Sequence, residues 1–375
     1  MSDNINNLPK LGFGLMRLPE KNGEVDTTAV NRMVDAYMKA GLNYFDTAYV
    51  YHSGKSESIV KECIVNRYPR ESFYLATKLP AWCMKSAEDM DRIFNEQLER
   101  TGADYFDYYL LHSLEDGNNY DTYEKYDTFS WGMKKKAEGK IVHFGFSYHG
   151  TPELLEKVLD KHPEMEFVQI QLNYADWENP VVQSGKLYEI LSRRNIPMII
   201  MEPVKGGNLA NLAPDLEAKF KKANPDASVA SWALRFAGSL PGVKTILSGM
   251  SNEEQMNDNI ATFTDFKPLT ESEKSVIKEV YEVMMSTPTI GCTSCRYCTD
   301  GCPAQISIPD VFRVVNTIRL YPTDDWRPRN YYGGLTEHGG KASACIGCGQ
   351  CESVCPQHLP IINLMNEASE LLDKK

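Results

Sequence analysis

The stretch Leu11–Leu18, LGFGLMRL, separates two folds. An open, doubly wound sheet that grips a dinucleotide wants G-x-G-x-x-G where its first strand turns into its first helix, so that backbone can approach a phosphate. Here the G-x-G of Gly12 and Gly14 runs on into Leu15, Met16 and Leu18, and no helix opens behind it. The stretch reads instead as the opening strand of a closed sheet. TTAVNRMVDAYMKAG, residues 27–41, then shows helical spacing and ends at Gly41, a glycine suited to the left-handed position past a helix end. From there short apolar runs alternate with helical ones. The strands are NYFDTAYVY (43–51), FYLATKLP (73–80), FDYYLLHS (106–113), HFGFSYHG (143–150), FVQIQLNY (167–174), PMIIMEPV (197–204) and VKTILSGM (243–250). The helices are SESIVKECIVNRY (56–68), 86–101, 122–138, TPELLEKVLDKH (151–162), GKLYEILSRRN (185–195), ASVASWALRFAG (227–238) and NEEQMNDNIATF (252–263). Strands alternating with helices make a parallel sheet. Eight such repeats in about 260 residues predict an α/β fold, the (β/α)8 TIM barrel.

The composition narrows the class. The chain has 375 residues, 42% of them hydrophobic, enough for one large domain and a smaller one. Its formal net charge of −11 argues against nucleic acid or an anionic membrane surface as partner. No apolar run approaches the ~18 residues of a membrane span. MSDNINNLPK at the start lacks the apolar core of a secretory signal. A reducing cytoplasm is therefore the expected location.

Eight of the ten cysteines fall in two copies of one pattern: Cys292-x2-Cys295-x2-Cys298-x3-Cys302-Pro303 and Cys345-x2-Cys348-x2-Cys351-x3-Cys355-Pro356. The pattern is that of the bacterial two-cluster ferredoxins, in which the fourth cysteine of each run ligates the other cluster. It assigns Cys292, Cys295, Cys298 and Cys355 to one [4Fe–4S] cluster, and Cys345, Cys348, Cys351 and Cys302 to the other. Disulfides are the poorer reading without a secretory signal. Zinc uses CxxC pairs but does not call for a third step followed by C-P. Between the runs, IPDVFRVVNTIRLY (308–321) reads as a helix and YPTDDWRPRNYYGGLTEHGG (321–340) as a turn-rich loop; Ile361–Leu372 closes the chain as a helix. The expected organisation is a barrel over residues 1–285 and a small, helix-rich, ferredoxin-like two-[4Fe–4S] domain over 286–375.

In a barrel of this kind chemistry sits at the C-terminal ends of the strands. Asp46 ends the second strand with Tyr51 shortly after it, Lys78 ends the third, and His112 the fourth. A free tyrosine titrates near ~10, and a neighbouring ammonium at Lys78 is expected to lower that value. These four residues could converge on one pocket although they are far apart in sequence. Tyr49 is a rival for Tyr51. At the phosphate end, where barrels use the loops after strands 7 and 8, Lys205, Gly206 and Gly207 offer a cation and close backbone approach. Ser248 and Gly249 follow the last strand.

FDTAYVYHSGKSE, LATK, DYYLLH, HFGFSYHG and ILSGMSNEEQMNDN, in that order, resemble the aldo-keto reductase family over about residues 8–265. The tail resembles the 4Fe-4S dicluster domain carried by one bacterial branch of that family. The resemblance implies a catalytic tetrad of Asp46, Tyr51, Lys78 and His112. It also implies reduction of a small aldehyde or ketone with NAD(H) or NADP(H). It places Ser147, Gln169 and Met201 around the nicotinamide and Asn259 at the adenine. Tyr148 stands where relatives often have asparagine, and Met201 where they often have an aromatic. Gly249 and Gln255 stand where many relatives carry the basic residues that take the 2′-phosphate, which argues against a strong preference for NADPH.

Nicotinamide delivers two electrons together, whereas each cluster passes one, so direct exchange needs an intermediary such as a flavin. The alternative reading is thus an electron-transfer flavoenzyme with a flavin in the barrel mouth and a ferredoxin or other redox partner. Trp82, Cys83 and Trp177 are further candidates for the lining of the mouth, and Cys63 for the core.

Overall fold

The computed structural model describes residues 5–373, apart from 116–117, 180–181, 293–295, 300, 322–325, 338 and 356. The chain divides into two compact units. One comprises Met1–Ala210 and Asp226–Lys274, the other Asn211–Pro225 and Ser275–Lys375.

The first unit is the barrel. Its strands are β1 (Leu11–Gly14), β4 (Tyr44–Asp46), β5 (Tyr74–Pro80), β6 (Phe106–Leu114), β7 (Ile141–Tyr148), β8 (Val168–Gln171), β9 (Met198–Met201) and β10 (Val243–Ser248). A short hairpin, β2 (Glu20–Lys21) and β3 (Glu24–Val25), interrupts the alternation. The sheet closes in the order β1-β10-β9-β8-β7-β6-β5-β4. Parallel strands covered on both faces carry near-continuous apolar runs, and every residue of β5 is buried. Four of the helices start where the sequence supplies an acceptor for an orphan N–H group. Asp26 accepts from Ala29 N at 3.0 Å, Ser228 from Ser231 N at 3.1 Å and Asn252 from Gln255 N at 2.8 Å. Thr151 caps its helix with Pro152 in the first turn.

Three local readings change. The helix expected over 122–138 is two, Asn118–Lys125 and Thr128–Ala137, parted at Asp127, whose φ of 51° is left-handed. Aspartate tolerates that conformation better than most residues. The helix over 56–68 is α-helical at Ser56–Val60 and then widens into a π turn at Lys61–Val65. The loop expected over 321–340 contains a helix, Trp326–Glu337. Its Pro328 falls in the first turn, where no intrahelical N–H bond is lost, and Tyr332 ties it down. The Tyr332 hydroxyl accepts from Ala342 N at 2.7 Å and donates to Asp373 at 2.9 Å.

The barrel's interior sets the height of everything above it. Tyr44, Ala76, Leu110, Phe167 and Ile199 form an inward-facing layer with Tyr74, Tyr108 and Leu247. Gly145 belongs at this level: a Cβ there would lie 2.3 Å from Phe167 O. Side chains on one face of a strand recur every second residue. Two residues beyond this layer stand Asp46, Lys78, His112, Ser147, Gln169 and Met201, one from each of six successive strands of the sheet.

The second unit has its own core of Ile290, Cys298, Ile306, Ile308, Val311, Phe312, Val314, Val315, Tyr332, Ala342, Ile361, Met365 and Ala368. Its helices include Ile308–Leu320 and Ile361–Leu372, as the apolar spacing predicts, and Pro214–Ala223, which the sequence reading passes over. No described helix is long and apolar enough to cross a membrane.

Candidate functional site

Lys78 is the centre of the upper barrel layer. Its ammonium donates to Asp46 Oδ1 at 2.6 Å, to Thr47 O at 2.8 Å and to Tyr51 Oη at 3.3 Å. Three donors on one nitrogen thus find three acceptors, and the third is the hydroxyl of Tyr51. The His112 ring stands edge-on to Tyr51, with centroids 5.9 Å apart. Trp82, exposed, tilts over His112 at 5.0 Å. The four residues separated in sequence therefore meet. Tyr49 does not join them: its hydroxyl donates to Glu96 at 2.6 Å and its ring lies under Arg100.

Burial governs the protonation of this group. It pushes the Asp46 carboxyl up, while Lys78 pulls it back. It opposes the charge on Lys78, but Asp46 and then Tyr51 outweigh it, so the ammonium is held above its ordinary range. For Tyr51 the net direction is upward, because burial exceeds the lowering effect of Lys78. This corrects the expectation that Lys78 brings the phenol down. His112 lies well below the usual imidazole range, first through burial and then through the Lys78 charge, and so is neutral. Its Nδ1 is buried without a hydrogen-bond partner.

A second row of buried polar residues braces Lys78, and the sequence reading missed it. Gln97 Nε2 donates to Lys78 O at 3.0 Å, to Glu57 at 2.9 Å and to Thr77 Oγ1 at 3.1 Å. Thr77 also donates to Glu57 at 2.7 Å, and Tyr109 to Gln97 Oε1 at 2.6 Å. The signal was available: Glu57 and Gln97 fall among the apolar residues on the buried faces of their helices.

The expected cofactor positions separate into two groups. Gln169 faces Asp46, and its Oε1 is buried with no hydrogen-bond partner. Ser147 pairs with Gln169 in register and accepts from Ser113 N at 2.7 Å. Met201 ends β9 beside Gln171. Tyr148 turns away, its hydroxyl on Thr151 O. At the other end the Lys205 ammonium is paired with Asp176, which is fully buried. Asp176 also accepts from Asn173 at 2.7 Å and Gln171 at 2.9 Å. Gly206 and Gly207 follow with φ of 65° and 100°, values that glycine adopts freely. Asn259 donates to Ser248 Oγ at 2.6 Å, and Gln255 Oε1 accepts from Ser251 N at 2.7 Å. Gly249 lies under the stem of Arg17. Trp177 packs on Tyr188 and Phe236 instead of joining the tetrad. Cys63 is buried in the core and Cys83 is half-buried beside Trp82.

In the second unit the described motif cysteines gather in two groups. One cavity is lined by Cys292, Cys298 and Cys355. Another is lined by Cys302, Cys345, Cys348 and Cys351. Cys295 lies outside the described residues, as does Pro356. Among the described residues no three His, Cys, Asp or Glu side chains close on a point as they would around a single ion. Cysteine sulfurs spaced around a cavity walled by Ile308, Phe312 and Ile361, or by Ile306, Ile362 and Met365, suit a cubane of iron and sulfide.

A family model described as the aldo/keto reductase family matches residues 10–282. A 4Fe-4S dicluster domain matches residues 291–359. The chain is 25% identical over 297 residues to the Bacillus subtilis oxidoreductase YqkF, covering 71% of this chain and 90% of that protein. It is 26% identical over 278 residues to L-galactose dehydrogenase of Arabidopsis thaliana, covering 69% and 85%. Among solved structures, an aldo/keto reductase from Klebsiella pneumoniae in complex with NADP and acetate aligns with a TM-score of 0.58 at 22% identity, covering 73% of this chain and 92% of that one. The holo form of AKR11C1 from Bacillus halodurans aligns with a TM-score of 0.57 at 23% identity, covering 72% and 91%.

Proposed function

The chain belongs to the aldo/keto reductase family and carries a C-terminal 4Fe-4S domain, and from that premise we propose that its barrel reduces the carbonyl of a small aldehyde or ketone with Tyr51 as general acid. The observation that carries this reading is Lys78, whose one ammonium bonds both Asp46 and the Tyr51 hydroxyl. An acid has to hold its proton until the moment of transfer. Burial keeps Tyr51 protonated at neutral pH, and Lys78 stabilises the phenolate that is left when the proton moves to the carbonyl oxygen. Asp46 keeps Lys78 charged and aimed. His112, neutral, has one N–H to offer the same oxygen and holds it within reach of Tyr51. Trp82 gives the mouth an apolar wall that favours a substrate with an apolar side.

A bound nicotinamide would supply the hydride. Gln169, with a buried acceptor that no protein group satisfies, suits its carboxamide, with Ser147 and Met201 beside it. The loops carrying Lys205, Gly206 and Gly207, and Ser248, Gly249, Gln255 and Asn259, would take the nucleotide end. The Klebsiella structure of the same fold, in complex with NADP, supports this choice of cofactor. The two [4Fe–4S] clusters, held by Cys292, Cys295, Cys298 and Cys355 and by Cys345, Cys348, Cys351 and Cys302, would supply one-electron chemistry. We assign the carbonyl chemistry to residues 1–285 and the clusters to 286–375. A reducing cytoplasm suits the thiolates.

Tyr51→Phe tests the reading. It removes the proton and little else, so kcat should fall by roughly 10²–10⁴ while cofactor binding holds. Carbonyl turnover equal to the parent's would remove Tyr51 from the mechanism.

A further inference from the structure

The phosphate end of the barrel poses a charge problem that the structure answers. Barrel phosphate sites form from the loops after the last two strands. In this chain residues 202–207 and 249–252 contain a single cation, Lys205. Lys205 is already committed to the buried carboxylate of Asp176. The same loop adds an anion, Glu202. Taken alone, these two loops would repel a phosphate.

A cation arrives from the other end of the barrel sequence. β1 pairs with β10 in the closed sheet, and just past β1 the Arg17 side chain crosses the loop after β10. Its stem covers Gly249 so closely that a Cβ built there would lie 3.2–3.4 Å from Arg17 Cδ, Cβ and Cγ. Gly249 thus keeps clear the path that Arg17 occupies. The guanidinium ends 3.5 Å from Glu202, with the two side chains 35% and 32% exposed. Glu202 has a left-handed φ of 54°, and its carbonyl accepts from Asn173 Nδ2 and Lys205 N, both at 3.0 Å. A non-glycine residue in that region persists only where its surroundings hold it.

Resting on the nicotinamide reading above, we propose that Arg17 is the residue that binds a phosphate of the dinucleotide cofactor, and that Glu202 is its resting partner, exchanged for the phosphate on binding. A guanidinium matches a phosphate as a planar fork. A half-exposed ion pair at 3.5 Å holds it only weakly, so the exchange releases Arg17 at little cost. The two residues therefore act on the ligand with opposite sign: Arg17 attracts it, and Glu202 both competes for Arg17 and repels the incoming anion.

The test is calorimetric titration of the cluster-loaded full chain with NADH and with NADPH, for the parent, Arg17→Gln and Glu202→Gln, with thermal unfolding of each protein alongside. Loss of one charge-assisted contact should weaken Arg17→Gln by roughly tenfold or more, and Glu202→Gln should bind more tightly than the parent. Equal loss for both nucleotides places Arg17 on the diphosphate, and loss for NADPH alone places it on the 2′-phosphate; either supports the proposal. If both variants match the parent, or both bind more weakly and unfold earlier, the pair is structural and the proposal falls while the nicotinamide reading stands. If the parent binds neither nucleotide, the nicotinamide reading falls and takes the proposal with it.

Discussion

Asp46→Asn removes one charge from a buried pair and leaves the shape almost unchanged. Lys78 and Asp46 are each no more than 3% exposed, and their charged atoms are 2.6 Å apart. Asparagine can still accept a hydrogen bond, so what disappears is the charge that holds the Lys78 ammonium up. Removing one partner of a buried pair typically costs about 3–5 kcal/mol, because the other is left uncompensated. The pH dependence gives the sign. In the parent the Lys78 pKa is raised, so its contribution is fully present below the unfolded value of about 10.4 and is lost as pH rises through the folded value. In Asp46→Asn burial prevails and pushes Lys78 below its unfolded value. The unfolded chain then binds more protons than the fold, and stability rises with pH. The deficit of the variant should therefore shrink between pH 7 and pH 9.5. Urea unfolding read by tryptophan fluorescence follows the barrel, since Trp82, Trp131, Trp177 and Trp232 lie in it. Adding Lys78→Met to Asp46→Asn removes both charges and should recover most of the stability while turnover stays lost. A cost below about 1 kcal/mol at pH 7, the range of an exposed pair, would refute the dependence of Lys78 on Asp46.

The neutral state of His112 carries a stability cost on acidification. With its folded pKa well below the ordinary value, the unfolded chain takes up the proton first, so stability should fall as pH drops through about 6.5; His112→Gln should flatten that limb of an unfolding-versus-pH curve. Cys355→Ser should empty the cavity lined by Cys292 and Cys298 and leave the one lined by Cys302, Cys345, Cys348 and Cys351. Iron assay would then find Cys298→Ser/Cys355→Ser no poorer in iron than either single variant, and Cys351→Ser/Cys355→Ser poorer than both. Tyr49→Phe, which loses a bond to Glu96 and nothing at Lys78, should keep the parent's kcat, and a loss like that of Tyr51→Phe would reverse the assignment of the acid.

The barrel was legible because burial on both faces writes its strands as largely apolar runs, and because four helices carry a capping residue at their start. The gathering of Asp46, Lys78 and His112 in one layer was legible for a related reason. Strand side chains repeat every two residues, so the last polar residue of each apolar run falls on one layer, and Asp46, Lys78 and His112 stand two residues beyond Tyr44, Ala76 and Leu110. The net direction of the Tyr51 shift was not legible. Lys78 is visible in the sequence, but the burial that outweighs it is a property of the closed fold. The helix at Trp326–Glu337 was hidden by Pro328, Gly333 and Gly334, whose local preferences yield to Tyr332 and its bonds to Ala342 and Asp373.

At the phosphate end chain order itself misleads. Read along the sequence, Gly249 and Gln255 are missing cations and Lys205 is a present one. Folding inverts both statements. Lys205 is taken by Asp176, a residue on the loop after β8 that gives no sign in the sequence of reaching it. Gly249 is not a vacancy, because closing the sheet sets β1 against β10 and lays Arg17 across it. An open sheet has two edges and would keep its first and last strands apart; a barrel has none. A cation can therefore reach the end of the last strand from the end of the first, and a position without a side chain is what admits it.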